Sequence, residues 1–474
     1  MRYIEGISRD QEILFPETLD SYITEDNEIR IIDKFVEGLD FKSLGFKYST
    51  PEKTGRKAYS PGLMLKLYLY GYLKKIRSSR RLEQETHRNV ELMWLMCKLK
   101  PDHKTIANFR KDNLESIKRV SKEFTLLCIQ LDLFGRELIA IDGSKFRALN
   151  SKSKNYTKNR LYHILRAIDK QIGLYLTEIA QADDQESKVR EHSKAEMLNK
   201  LSSLQEEHAK AQSMLRSIEE GEHSQISTTD PESRMMPGPE GNQLSYNVQI
   251  AVDSKHHLIV DYEVTNEIND LNCTSLMGMK TKETLGQDKL KITCDAGYFN
   301  KKEISKCERS NIECYIPEVK KLTNSHKGLY PLSSFKYDKA NNKYICPMQK
   351  SLTFKAKYKR YGSEIWLYEC RECQRCEKKD KCTKSQGNRQ IYRSEHDDIV
   401  DNVLERTKAN KEILRKRKSI VEHVFGTIKH CLGLRQFLLK GIKKVNAEMS
   451  LAVIAYNMRR AINILGTKRL LASV

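Results

Sequence analysis

Three acids and a run of thiols carry the chemistry this sequence could perform. Asp142 closes the apolar run LIAID, and Asp295 closes KLKITCD; each run is β-compatible and is followed by small residues and an aromatic. Both read as buried strands that deliver an acid at the C-terminal end. Glu422 is the one acid in the second half of KEILRKRKSIVEHVFGTIKH, residues 411–430. A cluster of carboxylates is what phosphodiester chemistry needs. Two divalent ions about 3.5–4 Å apart share such oxygens, one generating the nucleophile and the other stabilising the leaving oxygen. Mg²⁺ prefers oxygen ligands and keeps waters, so two or three acids suffice. An acid at a strand end is more often a cap or a solvated residue. Asp253 and Asp261 sit at similar places, so position alone does not select Asp295.

The thiols are a second chemistry. CRECQRCEKKDKC places Cys370, Cys373, Cys376 and Cys382 in a C-x2-C-x2-C-x5-C run, and Cys346 precedes it in a Cys-Pro pair 24 residues earlier. Five thiolates are on offer for a tetrahedral zinc site that takes four. Reduced, unliganded cysteines in a basic loop are the alternative. Cys97, Cys128 and Cys294 read as small buried hydrophobes.

These groups need elements to hold them. At about 100° per residue, Lys411, Arg415, Lys418 and Lys429 fall within roughly 40° of Glu422, while Leu414, Val421, Val424, Phe425 and Ile428 form an adjoining apolar face. The stretch is therefore a helix with one carboxylate in a row of cations. YNVQIAVD and HHLIVDYEVT form a hairpin through Ser254-Lys255; a helix with Leu271 and Met277, the Asp295 strand and ECYIP follow. Strand, insertion, two strands, helix, strand, helix, strand is an α/β order. The insertion carries two heptad seams. The first runs Leu161, Leu165, Ile168, Ile172, Tyr175, Ile179 and the second Leu201, Leu204, His208, Ala211, Leu215, Ile218, which pair as an antiparallel hairpin. Before the sheet, Ser60-Pro61 opens a run of short helices with tight turns and basic faces, suited to a helix-turn-helix-like DNA-binding module. The first 55 residues are weakly patterned.

Composition bounds the rest. At 474 residues a length prior gives about three domains, and 39% hydrophobic residues provide material for cores. The formal net charge of +21 calls for a polyanionic partner, most simply nucleic acid. No apolar stretch suits a membrane span or signal peptide, so the expectation is a soluble, cytoplasmic protein with no membrane partner. Twelve cysteines in such a chain argue against a disulfide framework.

In order and spacing, these segments together resemble a family: the bacterial insertion-sequence transposases of the DDE type. The family's last signature, Tyr-x2-Arg-x3-Glu-x6-Lys, reads here Arg415-x2-Lys418-x3-Glu422-x6-Lys429, so Glu and Lys match while Tyr and Arg are replaced. VEHVFGTIK, IDGSKFRA, CDAGYFN, GNQLSYNVQIAVD, VTNEIND, SRRLEQE, PDHKTIANFR and AYNMRRAINIL resemble the same branch, from about Ser60 to Leu465. The resemblance, not strand position, is what singles out Asp295. It implies a ribonuclease-H-like mixed sheet with flanking helices, in which Asp142, Asp295 and Glu422 bind two Mg²⁺ ions. Lys429 would contact DNA phosphate, with Lys418, Arg415 and Lys411 beside it. The implied activity is metal-dependent cleavage and strand transfer at the ends of an insertion sequence, on double-stranded DNA, by a homodimer in the bacterial nucleoid. The family-like cysteine pattern points to Cys346, Cys373, Cys376 and Cys382 for zinc, with Cys370 as the alternative. The expected organisation is an N-terminal helical DNA-binding domain (1–130), a catalytic core in two parts (131–160 and 226–316), the hairpin insertion (161–225), a cysteine-rich insertion (317–395), and the catalytic and C-terminal helices (396–474). A domesticated DNA-binding protein without activity and a ribonuclease-H-like nuclease are the alternatives.

Overall fold

The computed structural model describes residues 17–50, 57–183, 188–221, 225–238, 241–318, 328–360 and 362–473. Six helices come first: α1 (Ile29–Glu37), α2 (Pro61–Leu73), α3 (Ser79–Arg88), α4 (Val90–Leu95), α5 (His103–Asp112) and α6 (Leu114–Gln130). Ser60 precedes a proline that opens α2, and Asp102 caps α5 through the Lys104 and Thr105 amides. Helix α2 is apolar all round and is buried on every side, which is what such a pattern demands. Its one cation, Lys66, is matched by Asp33 of α1 at 2.5 Å. Helix α1, within the stretch read as weakly patterned, buries Ile29, Ile31, Ile32, Phe35 and Val36. Ile29, Ile32, Phe35 and Val36 fall at helical spacing, so the helix is legible within that stretch.

The central sheet is built from β1 (Ile139–Arg147), β4 (Arg234–Met236), β5 (Gln243–Asp253), β6 (Ile259–Thr265), β7 (Leu290–Thr293) and β8 (Ile312–Tyr315). The short β2 (Asn155–Thr157) and β3 (Gln225–Ser227) pair with each other at the base of the insertion. Across the sheet the order is β6-β5-β1-β7-β8, with β4 also paired to β5. β5 runs antiparallel to β1 and β6, while β7 and β8 run parallel to their neighbours. The parallel strands need crossovers, supplied by α9 (Thr274–Leu285) and α10 (Lys301–Arg309). Leu271, expected on α9, instead precedes it and is exposed.

Between β2 and β3, α7 (Lys158–Asp183) and α8 (Lys188–Glu220) pack side by side. Leu161, Leu165, Ile168, Leu201, Ala211 and Ile218 are buried, and His208 faces Asp169 at 3.0 Å. Ile179 lies on α7, and its distal neighbours' side chains are outside the described set.

A second sheet, β9 (Lys336–Asp338), β10 (Lys343–Ile345), β11 (Ser351–Arg360), β12 (Ser363–Glu369) and β13 (Gln390–Ser394), is antiparallel throughout. Expected as a cysteine-rich insertion, it has a small core of Phe335, Tyr344, Leu352, Tyr368 and Ile391. Phe335 and Tyr344 each sit beside a lysine, so that part of the run reads as polar in one dimension.

Helices α11 (Asp397–Ala409), α12 (Lys411–Gly426), α13 (Ile442–Leu465) and α14 (Thr467–Ser473) close the chain, with a π-helical turn at Thr427–Cys431. One hydrophobic core runs from Ile23 through the first sheet to Leu470. Arg77 ties the two ends: its guanidinium donates to Glu448 of α13 and to the Gln436 and Gly433 carbonyls. No helix among the described residues is long and apolar enough to cross a membrane.

Candidate active site

β1 and β7 set the geometry. Ala140 pairs with Thr293 in parallel register, and Asp142 and Asp295 each stand two residues further on. Side chains alternate along a strand, so both acids fall on one face of neighbouring chains. Asp142 is not at the end of its strand: β1 continues to Arg147. The strand continues because all nine of its residues from Ile139 pair with β5, a partner that an apolar run cannot announce. Asp295 does follow its strand, and its side chain accepts from the Gly297 amide.

Helix α12 covers that face, packing across β1, β5 and β7. Val421, Val424, Phe425 and Ile428 are buried, and Phe425 meets Phe146 of β1 at 6.0 Å between ring centres. Arg417 lies one turn before Val421 and places a guanidinium nitrogen 3.6 Å from Asp142 Oδ1. That nitrogen is buried without a hydrogen bond, so the contact is Coulombic. Burial dominates at Asp142 and pushes its carboxyl up to about 6; Arg417 opposes the shift and the Asp295 charge adds to it. A carboxyl raised by burial and by a second acid is a pair short of positive charge.

Glu422 lies on α12, the helix that covers this face. It is exposed and makes no hydrogen bond or ion pair among the described residues. Lys411, Arg415 and Lys418 are likewise exposed, and none has an ion pair among the described residues. Lys429 departs from that row because the π-turn rotates it inward. Its ammonium donates to Ser144 Oγ at 2.6 Å and to the Lys145 carbonyl at 2.9 Å, over the Phe146 ring. Burial lowers its pKa. The next segment holds the arrangement, since the Phe437 amide donates to the Arg147 carbonyl.

Arg417 is the residue sequence reasoning missed. It sits outside the family signature, but it shares the apolar face with Val421, Val424 and Ile428, which is the signal that could have found it.

In the second sheet, Cys346, Cys370, Cys373, Cys376 and Cys382 all line one cavity of about 20 Å³. That is the scale of a single small occupant. The Lys350 amide donates to Cys346 Sγ at 3.2 Å and the Arg389 amide to Cys373 Sγ at 3.4 Å. Burial raises the Cys370 thiol to about 11 and also raises Cys382. Among the described residues, no three His, Cys, Asp or Glu side chains form a metal-holding group as they stand, in either sheet. Of the cysteines expected to be buried, Cys128 and Cys294 are, whereas Cys97 is exposed in the turn after α4. A left-handed backbone at Cys97 and Lys98 turns the chain there, directly after the buried Met96.

Two family profiles match the chain. One, described as a transposase domain (DUF772), covers residues 17–112; the other, a transposase DDE domain, covers residues 345–462. No curated protein matches. Among solved structures, the chain is similar to a piggyBac transposase synaptic complex with hairpin DNA, determined by cryo-EM. Identity is 10%, with 92% of this chain and 73% of that chain covered at a TM-score of 0.33. Both matches are to transposase domains, one over residues that include α1–α5 and one over residues that include β11–β13 and α11–α12, and together they support a DDE-type transposase.

Proposed function

We propose that this protein cleaves DNA strands at the ends of an insertion sequence and joins the freed 3′ ends to target DNA. The observation that carries the reading is the pairing of Asp142 and Asp295 at equivalent positions on adjacent parallel strands, beneath the helix that bears Glu422. The order β6-β5-β1-β7-β8, three antiparallel strands then two parallel, supports a ribonuclease-H-like core. The proposed domain limits follow the same reading: 1–130, 131–160, 161–225, 226–316, 317–395 and 396–474.

The acids suit a divalent ion such as Mg²⁺. They offer hard oxygens, and the Asp142 carboxyl is strained toward its neutral form by burial with too little positive charge. Asp142 and Asp295 would hold two such ions, with Glu422 as the third ligand. When bound, the ions would activate water or a 3′-hydroxyl and stabilise the leaving oxygen. The chain's own residues do the rest. β1 and β7 hold the two carboxylates in register, and Arg417 offsets part of their charge. Lys429 fastens the π-turn to β1, and the exposed Lys411, Arg415 and Lys418 are placed to meet phosphates along the duplex. Cleavage by paired subunits on paired ends is part of the proposal.

The cysteine cavity suits zinc. Its donors are soft, its size is that of one ion, and two backbone amides already point at sulfur. Cys346, Cys373, Cys376 and Cys382 would hold it, with Cys370 the alternative fourth ligand.

The test is a nicking and joining assay on duplexes that carry the inverted repeats flanking the gene, with Mg²⁺ or Mn²⁺. Wild-type protein should cut at the repeat ends and Asp142→Ala should lose cutting by about 10³-fold or more, the scale of several kcal/mol of metal-ion stabilisation. Cutting that survives Asp142→Ala, or that prefers an RNA–DNA hybrid, would sink the proposal.

A further inference from the structure

On the face of the sheet opposite α12, a hydrogen-bonded chain converges on the residue beside Asp142. Asp270, in the loop before α9, accepts at one oxygen from Asn247 at 2.7 Å and from Gln249 at 2.6 Å; Lys145 approaches the same oxygen at 3.5 Å. Gln249 receives, at its own carbonyl oxygen, the hydroxyl of Tyr298. Tyr298 ends the short turn that begins after Asp295. Asn247 and Gln249 belong to β5 and pair with Lys145 and Gly143 of β1. Four segments are thus joined: β1, the turn after Asp295, β5, and the loop before α9.

Gly143 shows how closely they are drawn. A Cβ there would meet Gln249 Nε2 at 2.4 Å, Asp270 Oδ1 at 2.6 Å and the Tyr298 hydroxyl at 3.1 Å. Only a residue with no side chain lets the three groups close over the strand at that point. Asn247 and Gln249 are fully buried, so their amides have no water to fall back on, and each finds a protein partner instead. The chain is a largely buried polar network that ends on one carboxylate oxygen. Such networks hold a single geometry when satisfied, and are costly when a member is lost.

We infer that Asp270 is a positioning residue: through Gln249, Tyr298 and Gly143 it sets the spacing of Asp142 and Asp295. It acts from the far side of the sheet and does not itself face the reacting atoms. The inference rests on the proposed cleavage reaction. A displacement of about 1 Å at a reacting centre costs about a hundredfold in rate.

Three variants of the full chain are compared in the end-cleavage assay at saturating DNA, with DNA affinity and thermal midpoint measured beside it. Asp270→Ala removes the acceptor, and cutting should fall about a hundredfold while DNA affinity stays within about twofold. Asp270→Asn keeps an acceptor oxygen for Asn247 and Gln249 and should restore most of the rate. Tyr298→Phe removes one hydroxyl from a folded chain and should slow cutting by about tenfold, the effect of one lost hydrogen bond. Titration of Mn²⁺ should show a raised midpoint for Asp270→Ala and Tyr298→Phe, which a merely structural defect would not produce. Wild-type rates and metal midpoints in Tyr298→Phe and Asp270→Ala would overturn the inference, as would equal loss in Asp270→Ala and Asp270→Asn. Asp142→Ala separates the two readings. If it cuts like wild type, the cleavage reading fails; if it is dead while the other three cut normally, only the role of Asp270 fails.

Discussion

The two sheets of this protein hold chemically opposite donor sets in opposite ways. Asp142 and Asp295 stand on the sheet at the centre of the main core, which runs from Ile23 to Leu470. Helices bury that sheet on both faces, and Arg77 and Glu448 lock the ends of the chain across it. The cysteines line a cavity in a sheet whose own core is five large side chains and the thiols themselves. Much of β11 is exposed, with Phe354 and Tyr358 open to solvent. A large core can position acids at a cost, raising Asp142, and survive without an ion. A core that small needs a cross-link to be stable. On the proposed reading, the acids would serve a metal for chemistry and the thiols a metal for folding.

That contrast can be broken most decisively at Cys373. Cys373→Ser should lower the zinc content from about one per chain to near zero, with a local loss on the order of 10 kcal/mol of metal-linked folding energy. Limited proteolysis should then cut between Tyr330 and Ser394 and leave the first sheet intact. A variant that keeps its metal and its protection would abolish the distinction.

Next in size is Arg77→Ala. Glu448 is fully buried and also accepts from the Leu438 and Leu439 amides. Arg110 also offsets the Glu448 charge, so removing Arg77 should cost about 3 kcal/mol in urea unfolding, the low end for a broken buried pair. The loss should appear in the main core and not in protease protection of the cysteine-bearing sheet; loss of both would mean that the sheets do not fold separately.

Asp142 sharpens the cost side. Its carboxyl stands at about 6 in the folded chain against an ordinary value of 3.8. The folded state therefore binds an extra proton between about pH 4 and 6, and stability falls as the pH rises through that window. Asp142→Asn should be about 2–3 kcal/mol more stable than wild type at pH 7 without divalent ions, and no more stable near pH 4. Thermal melts at the two pH values check this; an equal gap at both would remove burial as the cause.

The smallest expected effect separates the cations of α12. Lys418→Ala should reduce the slope of log affinity against log salt by about one, since Lys418 is exposed. Lys429→Ala, whose ammonium is already engaged by Ser144 and Lys145, should change the slope less and the cutting rate more. The reverse order would return Lys429 to the phosphate row.

Taken alone, the sequence determined the elements whose period is strong. The α2 start at Pro61, the β5–β6 hairpin, the alternation of strands and helices through β8, and the buried face of α12 were all legible, because apolar spacing is local information. Tertiary structure decided what depends on partners. Asp142 lies within β1 because β5 pairs along the full strand. Lys429 turns inward because a π-turn replaces the 3.6-residue period on which the wheel relies. Arg417 and Asp270 join the site only when α12 and the loop before α9 close on the two faces of one sheet. Their neighbours are more than a hundred residues away in the chain or across a strand, and no spacing in the sequence encodes such a contact.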